Sequence, residues 1–219
     1  MRRLRHVPSS LTVRALNVPV RWLGKALLDL EVSGAENVPA KGPIVVAPNH
    51  LSHIDPPVVV NAVGRLVRFI AVDKLFGIHL AFDVATGFFG AIPTDRDGAP
   101  IQALEEAADH LRTGGAVGVF PEGRRVSYWG ETEPKRGAAW LAWMGGAPLI
   151  PVAVHGTERT LGPVDRGIHR TAIRVWIGEP IHWHDYADHV DPLGAMTDAW
   201  HEFVDGHLGP WWPPVRSSR

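Results

Sequence analysis

Residues 44–57 have the sequence IVVAPNHLSHIDPP, and this stretch decides the predicted fold. The apolar run 44–47 does not alternate with polar residues, which is typical of a strand buried on both faces of a sheet. The segment NHLSHID, residues 49–55, follows directly and presents two His, one Ser and one Asp. Pro56 and Pro57 then stand where the first turn of a helix tolerates proline. The stretch therefore predicts a buried strand, a polar turn suited to chemistry, and a helix.

Composition narrows the class of protein. With 219 residues, the chain is long enough for one domain that buries its own core. Because the sequence contains no Cys, disulfides, thiolate nucleophiles and Cys-ligated zinc are excluded. The formal net charge of -1 argues against nucleic acid as the main partner.

Strand and helix patterns alternate along the rest of the chain. Further strands are predicted at residues 67–72, 116–120, 149–154 and 171–177, and helices at residues 55–63, 100–111, 137–144 and 196–208. This alternation predicts an α/β fold, a single domain with a largely parallel central sheet flanked by helices, preceded by an N-terminal amphipathic helix. Functional sites in such folds gather at the C-terminal ends of the strands.

The N-terminal segment carries six basic residues before its first acid, Asp29. Leucines and a valine recur at helical spacing from Leu16 to Leu30, so residues 1–32 predict a basic amphipathic segment that associates with a membrane surface. A catalytic domain is expected at 33–185, followed by a C-terminal helix and tail at 186–219. No apolar run approaches the roughly 18 to 20 residues that span a bilayer. The expected location is cytoplasmic, peripheral on the inner face of the cell membrane.

His50 and Asp55 form the pattern H-x4-D within the polar turn. At a strand-to-helix turn, the carboxylate can hold one ring nitrogen of the His and leave the other as a general base. A hydroxyl group is the natural substrate of such a base. With 12 His in the chain, however, this spacing is common by chance, so the prediction depends on other segments.

The segment FPEGRR, residues 120–125, follows the predicted strand at 116–120. Glu122 can accept hydrogen bonds from hydroxyls or orient a base, and Arg125 offers a guanidinium that binds phosphate through two hydrogen bonds. Arg96 is a second candidate for phosphate binding. A surface ion pair with Asp95 or Asp97 is the alternative for Arg96.

Four segments in this order, NHLSHID, IPTDR, FPEGRR and PLIPVAV, resemble the four sequence blocks of the glycerolipid acyltransferases, the 1-acylglycerol-3-phosphate acyltransferase (PlsC-type) family. The resemblance covers residues 43–157, about half of the chain. It implies an acyltransferase that moves a fatty acyl group from acyl-CoA or acyl carrier protein to the sn-2 hydroxyl of lysophosphatidic acid, giving phosphatidic acid. It implies no cofactor and no metal.

The resemblance also implies residue roles. His50 is expected to be the base that removes the proton of the acceptor hydroxyl, with Asp55 orienting it. The phosphate of the acceptor is expected to be held by Arg96, Glu122, Gly123 and Arg125. His53 occupies a variable position of the first block and needs no role.

The third block departs from the family pattern at two positions. The family usually has Thr and Ser where this chain has Arg124 and Val126, so a hydroxyl is lost and a cation is gained. The acceptor head group is the part of the prediction that this departure affects, because the block helps to bind it. The alternative acceptors are another lysophospholipid or a lipid alcohol.

Two further classes of protein stay open. A metal-dependent hydrolase would use His50, His53 and Asp55 as H-x2-H-x-D, although this is not the spacing of the binuclear H-x-H-x-D-H motif. A membrane-binding module without enzyme activity would use the basic N-terminus and the pair Trp211 and Trp212. Metal analysis tests the first class, and acyl transfer by the purified protein tests the second.

Overall fold

The structure is a computed structural model that describes residues 29–72, 91–94, 101–164, 167, 169 and 171–212. This part of the chain forms seven strands and four α-helices. The strands are β1 (Asp29–Ser33), β2 (Ile44–Pro48), β3 (Val67–Val72), β4 (Ile92–Thr94), β5 (Ala116–Gly118), β6 (Leu149–His155) and β7 (Ala172–Ile177). The helices are α1 (Asp55–Val63), α2 (Ile101–Arg112), α3 (Gly137–Met144) and α4 (Pro192–Leu208).

All seven strands belong to one sheet, in the order β1-β7-β6-β2-β5-β3-β4. Neighbouring strands are parallel except for β6 and β7, which are antiparallel. Strand β2 therefore lies inside the sheet, paired with β5 on one side and β6 on the other. Every residue of β2 and of β6 is buried, as their uninterrupted apolar sequences predict. The predicted α/β fold with a largely parallel sheet is confirmed.

Helices cover both faces of the sheet. On one face, α2, α3 and α4 bury residues such as Leu111, Leu141 and Trp200 against β2 and β6. On the other face, the three successive valines of α1 pack against residues of β2, β6 and β7. The indole N–H of Trp200 donates to the carbonyl of Ala47 across 2.7 Å, which fixes α4 to the end of β2. Because β2 is held on both faces and both edges, the turn that follows it starts from a rigid position.

The structure corrects three sequence predictions. Leu30, assigned by its spacing to the amphipathic helix, lies in β1. Residues 92–94, which are absent from the predicted strands, form β4 at the edge of the sheet. Helix α4 begins at Pro192 rather than 196, because the Asp191 side chain accepts a hydrogen bond from the Gly194 N–H and caps it. Short edge strands and caps depend on partners that a local pattern does not contain.

The rest of the predicted amphipathic helix, residues 1–28, lies outside the described residues, as does the tail from residue 213. The proposed domain boundaries stay a prediction. Within the described ranges, none of the helices has the length and apolar character needed to cross a membrane.

Candidate active site

Three loops meet at the C-terminal edge of the parallel strands. The polar turn 49–55 follows β2, the segment 120–125 follows β5, and the loop 156–171 follows β6. Because β5 and β6 are the two neighbours of β2, their loops stand on either side of the turn. Asn49 fixes this edge: its buried side-chain amide donates to the Val154 carbonyl at 2.9 Å and accepts from the Val154 N–H at 2.7 Å.

His50 and Asp55 come together as the H-x4-D pattern predicts. The His50 Nδ1 lies 2.9 Å from the Asp55 Oδ2. The same oxygen accepts the backbone N–H groups of Leu51 and Ser52, at 2.7 and 2.6 Å. An oxygen that accepts two N–H bonds acts as an acceptor toward the ring as well, so the proton lies on Nδ1 and Nε2 carries the lone pair. Asp55 is fully buried at the N-terminus of α1, where a negative charge is stabilised.

The His50 ring is also held from the side of β5. It stacks on the Phe120 ring with the centroids 3.7 Å apart and the planes 13° from parallel. Phe120 in turn stacks on Phe69, with a centroid distance of 5.1 Å. The Val126 N–H donates to the His50 carbonyl at 2.8 Å. Backbone and ring of His50 are thus both fixed by the third block, while 16% of the side chain stays exposed.

Glu122 holds the backbone of His50 in place. Its Oε1 accepts the His50 backbone N–H at 3.1 Å, and only 4% of Glu122 is exposed. The Oε2 atom is buried without a hydrogen-bond partner in the described part of the chain. Burial raises the pKa of the Glu122 carboxyl to about 8, although two backbone hydrogen bonds act in the opposite direction. The carboxyl is therefore predominantly protonated at pH 7, and it positions the backbone of His50.

The rest of the third block forms a tight turn. Gly123 has φ +71°, a left-handed conformation that favours glycine, whereas a β-carbon there would displace only the flexible end of Lys135. The Arg124 guanidinium pairs with the Glu131 carboxylate at 2.7 Å on the protein surface. Val126 is 1% exposed and packs into the interior. The two departures from the family pattern therefore supply a surface ion pair and a core residue.

The loop after β6 closes the other side of the turn. The Ser52 hydroxyl donates to the Thr160 carbonyl, and the His53 N–H donates to the Leu161 carbonyl at 3.3 Å. Leu161 has φ +52°, a left-handed conformation that is uncommon outside glycine. Such a conformation persists only where surrounding contacts impose it.

A cleft of about 460 Å³ opens between these two loops. The described residues that line it are His53, Arg125, Leu161, Gly162 and Pro163. Burial lowers the pKa of His53, and the positive charge of Arg125 lowers it further, although the Asp55 carboxylate acts in the opposite direction. His53 is therefore neutral at pH 7 and retains one N–H donor. The cleft presents a guanidinium and an imidazole beside the polar turn 49–55.

The structure thus brings together four of the six predicted site residues: His50, Asp55, Glu122 and Arg125. A fifth, Gly123, lies in the turn between Glu122 and Arg125. Arg96 lies outside the described residues, two positions after β4 ends at this same edge. The catalytic and binding roles of all six stay predictions, since geometry alone does not test them.

Sequence reasoning missed four contributors: Asn49, Phe120, His53 and the loop after β6. A polar side chain directly after a fully buried strand is a usable signal for Asn49, because such a group needs hydrogen-bond partners. The roles of Phe120 and of the loop depend on contacts between distant segments and leave no local pattern. His53 was set aside because its position in the block varies.

The metal hydrolase alternative finds no support in the geometry. Among the described residues, no three or more His, Asp or Glu side chains are grouped so as to hold a metal ion. The Asp55 Oδ2 already accepts three hydrogen bonds, so the same atom is engaged within the turn.

Comparisons with known proteins identify the family of this chain. The family model described as Acyltransferase matches residues 29–155. A 1-acyl-sn-glycerol-3-phosphate acyltransferase of Bacillus subtilis is 33% identical over 177 residues, covering 78% of this chain and 83% of that protein. A chloroplastic 1-acyl-sn-glycerol-3-phosphate acyltransferase of Arabidopsis thaliana is 28% identical over 157 residues, which cover 70% of this chain and 44% of the Arabidopsis protein.

A solved structure shares the fold. The crystal structure of the 1-acyl-sn-glycerophosphate (LPA) acyltransferase PlsC from Thermotoga maritima superimposes with a TM-score of 0.74. The match covers 96% of this chain and 86% of that chain, at 22% sequence identity.

The fold, the strand-end turn and the matched family model define an acyltransferase enzyme. Within that class, the chain belongs to the PlsC-type glycerolipid acyltransferase family.

Proposed function

We propose that this enzyme transfers a fatty acyl group from acyl-CoA or acyl carrier protein to the sn-2 hydroxyl of lysophosphatidic acid, giving phosphatidic acid. One observation carries the proposal: a His held by a buried carboxylate stands beside a cleft lined by Arg125. A base next to a phosphate-binding cleft suits an acceptor that carries both a hydroxyl and a phosphate. The names of the curated relatives support this acceptor.

In the proposed mechanism, the Nε2 atom of His50 takes the proton of the sn-2 hydroxyl. The acceptor oxygen attacks the thioester carbonyl carbon, and the carbon–sulfur bond of the tetrahedral intermediate then breaks. The leaving thiolate takes the proton from the imidazolium, so the free thiol and the neutral base are restored. Asp55 stabilises the imidazolium through its bond to Nδ1.

We assign the binding of the acceptor to the residues that contact its phosphate group. Arg125 lies in the cleft, and Arg96 is proposed as the second cation. The ion pair between Arg124 and Glu131 supports lysophosphatidic acid as the acceptor, because it engages the added cation at the surface, away from the cleft lining. Glu122 keeps the His50 backbone in place from behind the site.

We place the enzyme on the inner face of the cell membrane, as a peripheral protein. The position of β1 supports this: Asp29 pairs with Ala172 at the start of the antiparallel strand β7. The start of β1 therefore lies at the same edge of the sheet as the proposed catalytic turn, residues 49–55. Three strand-to-strand spacings, or roughly 14 Å, separate β1 from β2. The basic segment 1–28 thus joins the sheet on the side where a lipid acceptor has to arrive.

An acyl-transfer screen tests the proposal. Purified protein is given acyl-CoA or acylated carrier protein with lysophosphatidic acid, other lysophospholipids and a monoacylglycerol, and the products are identified by mass spectrometry. We expect phosphatidic acid from lysophosphatidic acid, with the new acyl chain released by an sn-2-specific lipase.

The His50→Ala variant should lose at least about 10³-fold in turnover, because it lacks the base. His184→Ala is the matched control, since His184 is exposed and lies on a different segment. Transfer to a different acceptor would overturn the assigned substrate, and wild-type turnover by His50→Ala would overturn the mechanism.

A further inference from the structure

The cleft beside the catalytic turn has an electrostatic character that favours an anion. Among the described lining residues, the polar side chains are those of His53 and Arg125, and the opposite wall is the short segment from Leu161 to Pro163. None of these five residues carries a carboxylate. The described lining therefore presents an anion with a guanidinium and an imidazole.

His53 is placed to act on a bound group. It lies three residues after the base, and its backbone N–H is already used by the Leu161 carbonyl at 3.3 Å. The side chain is half-buried and lines the cleft together with Arg125. A neutral imidazole still offers one N–H donor, and a hydrogen bond to a charged oxygen is stronger than one between neutral groups.

The wall opposite His53 is fixed rather than incidental. A β-carbon at Gly162 would lie 2.3 Å from the Glu158 carbonyl oxygen, so only glycine allows the loop to fold back this closely. The Leu161 N–H donates to the Gly167 carbonyl at 2.9 Å. The left-handed conformation of Leu161 is held by these contacts. The cleft is therefore formed before substrate binds.

We propose that His53 is a ligand of the phosphate group of the acceptor, acting beside Arg125. The inference rests on the proposed function and adds a binding residue at a variable position of the first family block. The imidazole N–H donates to one phosphate oxygen, while the guanidinium binds the others. This binding places the phosphate next to His50, which lies three residues before His53 in the same turn.

The test separates the phosphate of the acceptor from the phosphates of acyl-CoA. Steady-state kinetics of His53→Ala and His53→Gln are measured with lysophosphatidic acid varied at saturating acyl-CoA, and then with acyl-CoA varied. We expect His53→Ala to raise the acceptor KM about 10-fold or more, with kcat within about threefold and the donor KM unchanged. His53→Gln should restore most of the affinity, because its amide N–H can donate in place of the imidazole.

Inhibition by glycerol 3-phosphate gives a second readout, because this inhibitor carries the phosphate of the acceptor without its acyl chain. Its inhibition constant should rise in His53→Ala by a factor similar to the acceptor KM, and recover in His53→Gln. If His53 had a purely structural role, both variants would show a lower kcat or a lower thermal stability. The inhibition constant of glycerol 3-phosphate would then be the same in the variants as in the wild type.

Three outcomes overturn the inference: an unchanged acceptor KM in folded His53→Ala, a rise in the donor KM alone, or a loss confined to kcat. Each of these leaves the proposed function standing. The failure of the proposed function is separate, because it would appear as a wild-type enzyme that does not acylate lysophosphatidic acid.

Discussion

The catalytic turn and the adjoining cleft differ in how firmly they are fixed. In the turn, the Asp55 carboxylate is fully buried and its Oδ2 accepts three hydrogen bonds, one of them from His50. In the cleft, His53 and Arg125 are half-buried and line an open space of about 460 Å³. The proposed base is therefore held in place by the turn, whereas the proposed phosphate ligands line an open cleft. Substitutions in the turn should change kcat, and those in the cleft should change KM.

The largest effect is expected from Asp55→Asn. An amide oxygen can still accept from Leu51 and Ser52, so the turn is preserved, but the imidazolium loses its negative partner. We expect kcat to fall on the order of 10³-fold, with little change in the acceptor KM. Steady-state kinetics and a thermal unfolding curve check this. A large rise in KM with normal kcat would place Asp55 in binding instead.

A smaller effect is expected in the cleft, from Arg125→Ala. Loss of the guanidinium should raise the KM for lysophosphatidic acid about 10- to 100-fold, because it removes charge-assisted hydrogen bonds to the phosphate. Arg124→Ala is the matched control: it removes the neighbouring cation, which pairs with Glu131 at the surface. That control should change the acceptor KM less than about threefold. Equal effects of the two substitutions would show that only the net charge of the loop matters.

The smallest effect on activity is expected from Glu122→Gln. The pKa of Glu122 is raised to about 8, so the folded protein keeps a proton that the unfolded chain releases near pH 4.5. The unfolding free energy of the wild type therefore carries a contribution that falls as pH rises through this window, by up to about 1.4 kcal/mol per pH unit. The Gln variant lacks this contribution, so its stability relative to the wild type should increase from pH 5 to pH 8.

Urea unfolding at several pH values measures that difference. Activity at pH 7 should stay within a few-fold of the wild type, since the amide oxygen can still accept the His50 N–H. A loss of activity above 100-fold with unchanged stability would show that the ionised carboxylate is required, which would contradict a protonated Glu122.

The fold was predicted from sequence wherever a local pattern was strong. The uninterrupted apolar residues of β2 and β6 and the prolines at the start of α1 gave those elements their positions. The antiparallel pairing of β6 with β7 was not predicted, because neither strand contains information about its partner. The exposed edge strand β1 has one partly buried residue among four exposed ones, too weak a pattern to mark a strand.

The site shows the same division. The sequence by itself determined the membership of the family and the pairing of His50 with Asp55, since each depends on residues close in the chain. Only the tertiary structure decided the burial of Glu122 behind His50 and the cleft between His53 and Leu161. The physical reason is that burial, pKa and cavity shape arise from contacts such as that of Asn49 with Val154, 105 residues apart, which no local pattern records.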